Sequence, residues 1–321
     1  GWWNRGEEDD ADGTPSRGYR TRIKGGYFPV SPTDQYADLR DAMVMNLGKV
    51  GLAVERSHHE VGTAGQCEID IKYDYMTNAA DATQTYKFAI RNIAQKFGKV
   101  ATMMPKPISM DAGSGMHTNV SLWKNGKNAF FDIDEKYELS QVGRYFCGGI
   151  LNHARALCAI TNPTTNSYHR LVPGYEAPVY IAWSPSNRSA AIRVPEHFRG
   201  EKYSYLKRFE YRAPDPSSNP YLVFSAVLAA GLDGIKKKTD PGDPVLENIY
   251  HMTKEERAKR GIKTVPANLG EALDELESDR KFLNPIYSND VIDKIIEIGR
   301  RDHREISIRP HPHEFYLYFD V

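Results

Sequence analysis

Between Ala53 and Tyr75 the chain reads AVERSHHEVGTAGQCEIDIKYDY, with acidic side chains at a spacing that could hold a cation. From Glu68 onward polar and apolar residues alternate. Glu68, Asp70, Lys72 and Asp74 share one face, and Ile69, Ile71, Tyr73 and Tyr75 the other. That pattern marks a strand with a wet face and a packed face. A three-residue loop Thr63-Ala64-Gly65, with Gly65 in the left-handed region, makes the stretch a hairpin and sets Glu60 opposite Glu68. Asp70 and His58 are then the next pair on that face. Cross-strand partners sit about 5 Å apart at Cβ, where like charges repel. A hard divalent cation, Mg²⁺ or Mn²⁺, compensates such carboxylates, because both ions prefer oxygen ligands. The competing reading is a solvated sheet face with scattered charges.

Three further stretches carry chemistry-bearing side chains. In MPKPISMDAGSGMHTNVSLWKNG, Gly113 and Gly115 flank Ser114, so the backbone can approach a ligand closely. The strand expected after it places His117, Asn119, Ser121 and Trp123 on one face: an imidazole, an amide, a hydroxyl and an indole, which suit a metal and a nucleotide. A half-exposed edge strand is the plain alternative. Residues 161–196 run without helical period, and long irregular segments inside compact domains are usually functional. This one holds Arg170, Glu176, Arg188 and Arg193, a set suited to phosphate or carboxylate binding. In KRFEYR, Arg208, Glu210 and Arg212 share a face.

These residues need elements to hold them. Pro32 and Asp34 open a helix with Leu39, Met43, Leu47 and Val50 at helical spacing, stopped by Gly51. Asp81 with Gln84 resembles a capping box for a second helix, whose core face is Tyr86, Ile90, Ile93 and Phe97. Ser140 caps a helix over 140–160 with Phe146, Ile150, Leu157 and Ile160 inward. Asn219 and Pro220 cap an apolar helix to about Lys237. Residues 239–265 form a polar excursion, helices follow near 268–279 and 289–302, and the tail ISIRPHPHEFYLYFDV reads as an aromatic strand. The fold class is α+β, with helices laid on the apolar back of an antiparallel sheet.

Composition narrows the function. With 42 basic and 42 acidic residues in 321, there is no global field to attract nucleic acid or an acidic membrane. Three cysteines (Cys67, Cys147, Cys158) without paired spacing argue against a disulfide framework or zinc site and point to a reducing, cytoplasmic setting. The apolar run Tyr221 to Leu232 is too short to span a bilayer. The chain begins without Met in a polar stretch, GWWNRGEEDDADGTPSRG, which reads as a loop cut mid-protein.

The segments KGGYFPVSPTDQYADLRDAM, HHEVGTAGQCEID, GSGMH, NSYHRLVPGYEAPV, NRSAAIRVP, RFEYRAPDPSSNPYL and RPHPHEFYLYFDV resemble, in order from about Gly25 to Val321, the catalytic domain of type I glutamine synthetase. The resemblance implies a glutamine synthetase/guanido kinase-like fold, with a curved antiparallel sheet and helices on its outer face. It also implies a single catalytic domain over 1–321, in which 1–24 is a truncated loop and 266–321 the C-terminal helices and tail. The implied reaction joins ammonia to glutamate at the expense of ATP through γ-glutamyl phosphate. The implied ligands of two or more Mg²⁺ or Mn²⁺ ions are Glu60 and Glu68 for one, His117 and Glu210 for the other. Gly113 and Arg170 match glutamate-binding positions. Arg188 and Arg212 match arginines on the transferred phosphoryl group, and Arg193 one on the nucleotide. Glu55, Tyr73, Asn119 and Ser121 match the nucleotide pocket. Glu176 matches the flap glutamate that takes a proton from ammonium.

A homo-oligomer of two hexameric rings is implied as well. Family members begin with a smaller β-grasp domain and a strand like PEPEFF. Neither stands in this chain, so the fragment alone is expected to be inactive. Ala112 replaces a common Asn, Asn119 stands where many members have His, and the context of Tyr250 departs from that of the tyrosine some members adenylylate. A γ-glutamyl ligase using another amine, and a non-catalytic structural relative, are the alternatives.

Overall fold

The computed structural model describes residues 19, 21–173, 177–195 and 198–321. The chain forms two compact units, residues 1–114 and 115–321. No helix among the described residues is long and apolar enough to cross a membrane.

In the first unit, helix α1 (Ala37–Lys49) and helix α2 (Met76–Lys96) cover the hairpin of β1 (Val54–His59) and β2 (Cys67–Ile71). Met43 and Leu47 from α1 meet Ile90, Ile93 and Ala94 from α2, with Val54 and Ile69 packed against them. Alternation in the strands meets the 3.6-residue period of the helices, so one apolar face of each is covered. Val50 and Phe97 fall at the helix ends and stay exposed. A buried ion pair, Arg40 Nη2 to Asp34 Oδ2 at 2.7 Å, pins α1 to the segment before it. Helix α2 begins at Met76, five residues before the expected Asp81 cap. Asp74 supports the earlier start: its Oδ1 accepts Tyr75 N at 2.6 Å and its Oδ2 accepts Asn78 Nδ2 at 3.2 Å.

The hairpin register differs from the expected one. His58 pairs with Glu68, His59 with Cys67, and Arg56 with Asp70, while Glu60 N donates to Gln66 O at 2.7 Å. Gly65 does take positive φ, +83°, but the loop also takes in Val61 and Gly62. Its amides are satisfied by side chains: Val61 N by Glu60 Oε2 (2.7 Å), Gly62 N by Gln66 Oε1 (2.8 Å) and Thr63 N by Asp111 Oδ2 (2.9 Å). A slip of two residues keeps every side chain on its face. His58, Glu60 and Glu68 therefore still share one.

The second unit is built on a five-stranded sheet of order β3-β8-β7-β6-β9. Its strands are β3 (Thr118–Val120), β6 (Tyr180–Ser184), β7 (Ala190–Arg193), β8 (Phe209–Tyr211) and β9 (Lys263–Thr264). Strands β4 (Trp123–Lys124) and β5 (Lys127–Asn128) form a separate small hairpin. The α+β class holds, but the sheet is mixed: β6 and β7 run parallel while the other pairs are antiparallel. Alternation is blind to strand direction, and short connections ordinarily give antiparallel pairs. Here residues 185–189 carry the chain back so that Ala190 lies beside Tyr180. Ser184 Oγ and Asn187 Oδ1 hold that return by accepting the amides of Asn187 (3.1 Å) and Ser189 (2.9 Å).

Helices α3 (Gln141–Asn152), α4 (Ala154–Thr161), α5 (Thr165–Arg170), α6 (Pro220–Lys237), α7 (Lys254–Lys259), α8 (Leu269–Ser278) and α9 (Asn289–Ser307) complete the unit with α10 (Pro312–Tyr318). Asn219 Oδ1 accepts Tyr221 N at 3.0 Å and Pro220 leads α6, as its sequence implies. Phe130, Phe146, Trp183, Phe209 and Tyr211 are almost fully buried; each such side chain contributes about 2–3 kcal/mol. Helices α3 and α6 touch backbone to backbone. A Cβ at Gly149 would strike Ala230 O, and one at Gly231 the Phe146 ring. Two expectations are corrected here. Residues 165–170 are helical, through a Thr164–Ser167 capping box. The tail forms helix α10, because Pro312 leads it and His311 and Glu314 exchange capping bonds, outweighing the β preference of its aromatics.

The expected helix over 140–160 breaks at His153, whose ring is buried between two carboxylates. Nδ1 lies 2.6 Å from Asp279 Oδ2 and Nε2 2.9 Å from Asp233 Oδ2, and the ring stacks on Phe282. Burial disfavours its charge, yet the bonds to Asp279 and Asp233 outweigh it and raise its pKa above 6.5. A raised histidine stabilises the fold fully below its unfolded pKa and loses that contribution as pH climbs through the folded one. The denaturation midpoint should therefore fall as pH rises above about 6.5, and His153→Gln should flatten that slope in urea titrations at pH 6 to 9.

Candidate active site

In the first unit, His58, Glu60 and Glu68 converge. One ligand atom from each lies within 4.8 Å of the others. His58 is buried, with Nδ1 3.0 Å from His59 O and Nε2 3.6 Å from Glu68 Oε1. If Nδ1 donates to that carbonyl, Nε2 keeps its lone pair for a ligand. The Phe28 ring stacks on this imidazole at 4.3 Å. Desolvation, then the nearby Asp70 and Glu60 carboxylates, push the Glu68 carboxyl up to about 8. Three donors crowded at a cost in mutual repulsion fit a hard cation with an imidazole among its ligands. The sequence places His58 on this face, opposite Asp70, but not among the ligands; that residues 58 and 60 of one strand share a face was the available signal. Glu55 sits at a bulge in β1, where pairing skips from Val54 to Arg56, and is exposed. Tyr73 lies beyond the end of β2, also exposed. Gly113 O and Ser114 Oγ accept from Gln66 Nε2 at 2.9 and 3.1 Å.

In the second unit, Glu210 on β8 is the hub. Asn119 of β3 pairs with it on one side and Arg193 of β7 on the other. Its carboxylate receives Arg212 Nη1 at 2.6 Å and Arg193 Nη1 at 2.8 Å, and lies 3.4 Å from His117 Nδ1. Burial pushes the Glu210 carboxyl up, but Arg212 and Arg193 outweigh it and hold the pKa below the ordinary value. Desolvation, then Arg212 and Arg170, lower that of His117, so its ring is neutral at pH 7 and able to ligate. Arg170 on α5 is buried, its guanidinium spread over Ala213 O (2.8 Å) and Arg212 O (3.1 Å). Burial, with Arg212 near it, lowers its pKa to about 10, which leaves it charged. Arg212 Nε is buried without a hydrogen-bond partner; such a donor is costly unless a ligand takes it. Asn119 Oδ1 accepts from Arg208 Nε, and Ser121 Oγ from Trp123 Nε1. Arg188 is exposed, and its charge is felt at His117. Glu176 lies outside the described residues.

Gly115 permits the closeness of Arg170 and His117. A Cβ there would stand 2.5 Å from Arg170 Nη2 and 2.9 Å from His117 Nε2. Arg170 cannot retreat, because its other contacts are backbone carbonyls. Overpacking of this kind costs about 1–3 kcal/mol. Gly115→Ala should therefore lower the melting temperature by a few degrees and, by displacing Arg170 or His117, cut the rate of the complete protein about tenfold or more; thermal melting and steady-state kinetics check both.

This is a cation-type hairpin in one unit and a carboxylate among arginines with a neutral histidine in the other. A family model described as the glutamine synthetase catalytic domain matches residues 4–318. The chain belongs to the glutamine synthetase family. It is 52% identical over 314 residues to the glutamine synthetase of Sulfolobus acidocaldarius, covering 97% of this chain and 66% of that protein. To the glutamine synthetase of Streptomyces coelicolor it is 50% identical over 324 residues, covering 100% and 67%. Among solved structures, Plasmodium falciparum glutamine synthetase superposes with a TM-score of 0.83 at 31% identity, over 97% of this chain and 67% of that one. The chain thus spans about two thirds of the length of the glutamine synthetases it matches.

Proposed function

We propose that this chain carries the catalytic domain of an ATP-dependent glutamate–ammonia ligase, working in the cytoplasm. The observation that carries the proposal is Glu210, a buried carboxylate shared by two arginines and a neutral histidine. That cluster suits phosphoryl transfer: charges of both signs are preset, and Arg212 Nε is an open donor. By family resemblance, Glu60 and Glu68 hold one Mg²⁺ or Mn²⁺, and His117 and Glu210 another; His58 joins the first pair on geometry. Bound there, the cations neutralise charge on the phosphates of ATP.

The side-chain carboxylate of glutamate attacks the γ-phosphorus of ATP, giving γ-glutamyl phosphate and ADP; ammonia then attacks the acyl carbon, and phosphate leaves. Gly113 and Arg170 hold the glutamate, Arg170 through the α-carboxylate. Arg188 and Arg212 stabilise the phosphoryl group as it moves, and Arg193, Glu55, Tyr73, Asn119 and Ser121 serve the nucleotide. Glu176 takes the proton from ammonium, and the acyl phosphate must be kept from water, which would otherwise hydrolyse it. The exposed apolar side chains of α10 and the residue after it, among them Phe315, Leu317 and Phe319, support assembly with further copies of the chain, since monomers rarely leave such patches uncovered.

The test is phosphate release from ATP by the complete gene product, with and without glutamate and ammonium, beside Glu176→Ala. Release dependent on both, with glutamine formed and the variant suppressed, supports the ligase. Release that requires an organic amine instead of ammonium, or none with either, overturns it.

A further inference from the structure

The hairpin loop and the Gly-Ser-Gly turn, more than 40 residues apart in sequence, are joined by two side chains. Gln66 uses its whole carboxamide. Nε2 donates to Gly113 O at 2.9 Å and to Ser114 Oγ at 3.1 Å, while Oε1 accepts Gly62 N at 2.8 Å. Asp111 works from the other side: Oδ2 accepts Thr63 N at 2.9 Å and Oδ1 accepts Ala112 N at 2.8 Å. The turn is held again by Ser114 N to Pro105 O at 2.8 Å. Gln66 follows the loop directly and stands two residues before Glu68, so its backbone belongs to the cation hairpin and its side chain to the turn.

We propose that Gln66 is a positioning residue: its carboxamide registers the Gly113–Ser114 turn against the cation hairpin and so sets where substrate glutamate meets that turn. The inference rests on the ligase reading, in which Gly113 contacts glutamate. A carboxamide is specific for this task. It offers two donors and an acceptor in one plane, and the loop and turn present two acceptors and a donor. A carboxylate of the same size keeps the acceptor for Gly62 but sets an oxygen against Gly113 O. It therefore pushes on the turn without emptying the space.

The experiment compares Gln66→Glu, Ser114→Ala and the double variant in the complete gene product, with KM for glutamate, KM for ATP, kcat and melting temperature measured for each. Losing the donor pair should raise KM for glutamate about tenfold in Gln66→Glu and about threefold in Ser114→Ala. KM for ATP should stay within about twofold, and melting should change little. The double variant should be no worse than Gln66→Glu alone, because both break one link. An unmoved KM for glutamate in a folded Gln66→Glu protein overturns the proposal. So does a rise in both KM values in step with a fall in melting temperature, which marks a merely structural role. Wild-type protein without glutamate-dependent phosphate release overturns the ligase reading and this one together; with release intact, the variants judge Gln66 alone.

Discussion

Glu210→Gln should lower glutamate- and ammonium-dependent phosphate release by about 100- to 1000-fold and also lower the melting temperature. The carboxylate is 7% exposed and neutralises Arg193 and Arg212 at 2.8 and 2.6 Å. Removing one partner of a buried ion pair costs about 3–5 kcal/mol, because the charge left behind has no water to turn to; each 1.4 kcal/mol is a factor of ten. A glutamine fills the same volume but leaves two guanidiniums competing for one neutral oxygen. Steady-state rates and thermal melting read the two effects separately. Glu210→Asp, one methylene shorter, should keep the fold and lose most of the rate, since charge is retained and reach is not. Near-normal rates in Glu210→Gln would remove this residue from the chemistry.

Glu68→Gln should act in the opposite sense on the fold. Here the carboxylates of Glu60, Glu68 and Asp70 repel one another, and desolvation with that repulsion raises the Glu68 carboxyl to about 8. Neutralising it relieves the crowding, so cation-free protein should melt at the same temperature or higher. Mn²⁺ affinity, read from free Mn²⁺ by electron paramagnetic resonance, should fall at least about 10- to 100-fold, the loss that changes in the outer shell of a metal site alone can cause. Unchanged affinity would return this face to the solvated reading that its pattern also allows.

Much of this was legible in the sequence wherever a period and a cap coincided. The α6 helix announced itself through Asn219, Pro220 and an apolar run, and the hairpin through alternation from Glu68 and a glycine at the left-handed position. Register was not legible, because loop length decides it. Side chains of Glu60, Gln66 and Asp111 stabilise a longer loop than the shortest one available, and one of the three, Asp111, is 48 residues from the amide it satisfies. Direction in β6 and β7 was hidden for a related reason: alternation survives reversal of a strand, and only the polar return over 185–189 tells them apart. At the site, Glu60, Glu68, His117 and Glu210 stood out by type and spacing. His58 was legible on the same face but not as a ligand, and Gly115 could be read as a turn residue but not as the space beside Arg170.

The backbone contact between α3 and α6 has a consequence in time as well as in space. With Gly149 against Ala230 O and Gly231 under the Phe146 ring, neither helix can rotate or slide without opening the other, so the pair opens only when the whole unit does. Amides at this crossing should therefore exchange with deuterated water at the slowest, globally limited rate, while those of the exposed α10 exchange early. Strands β6 and β7 would then lean against a part of the second unit that keeps still.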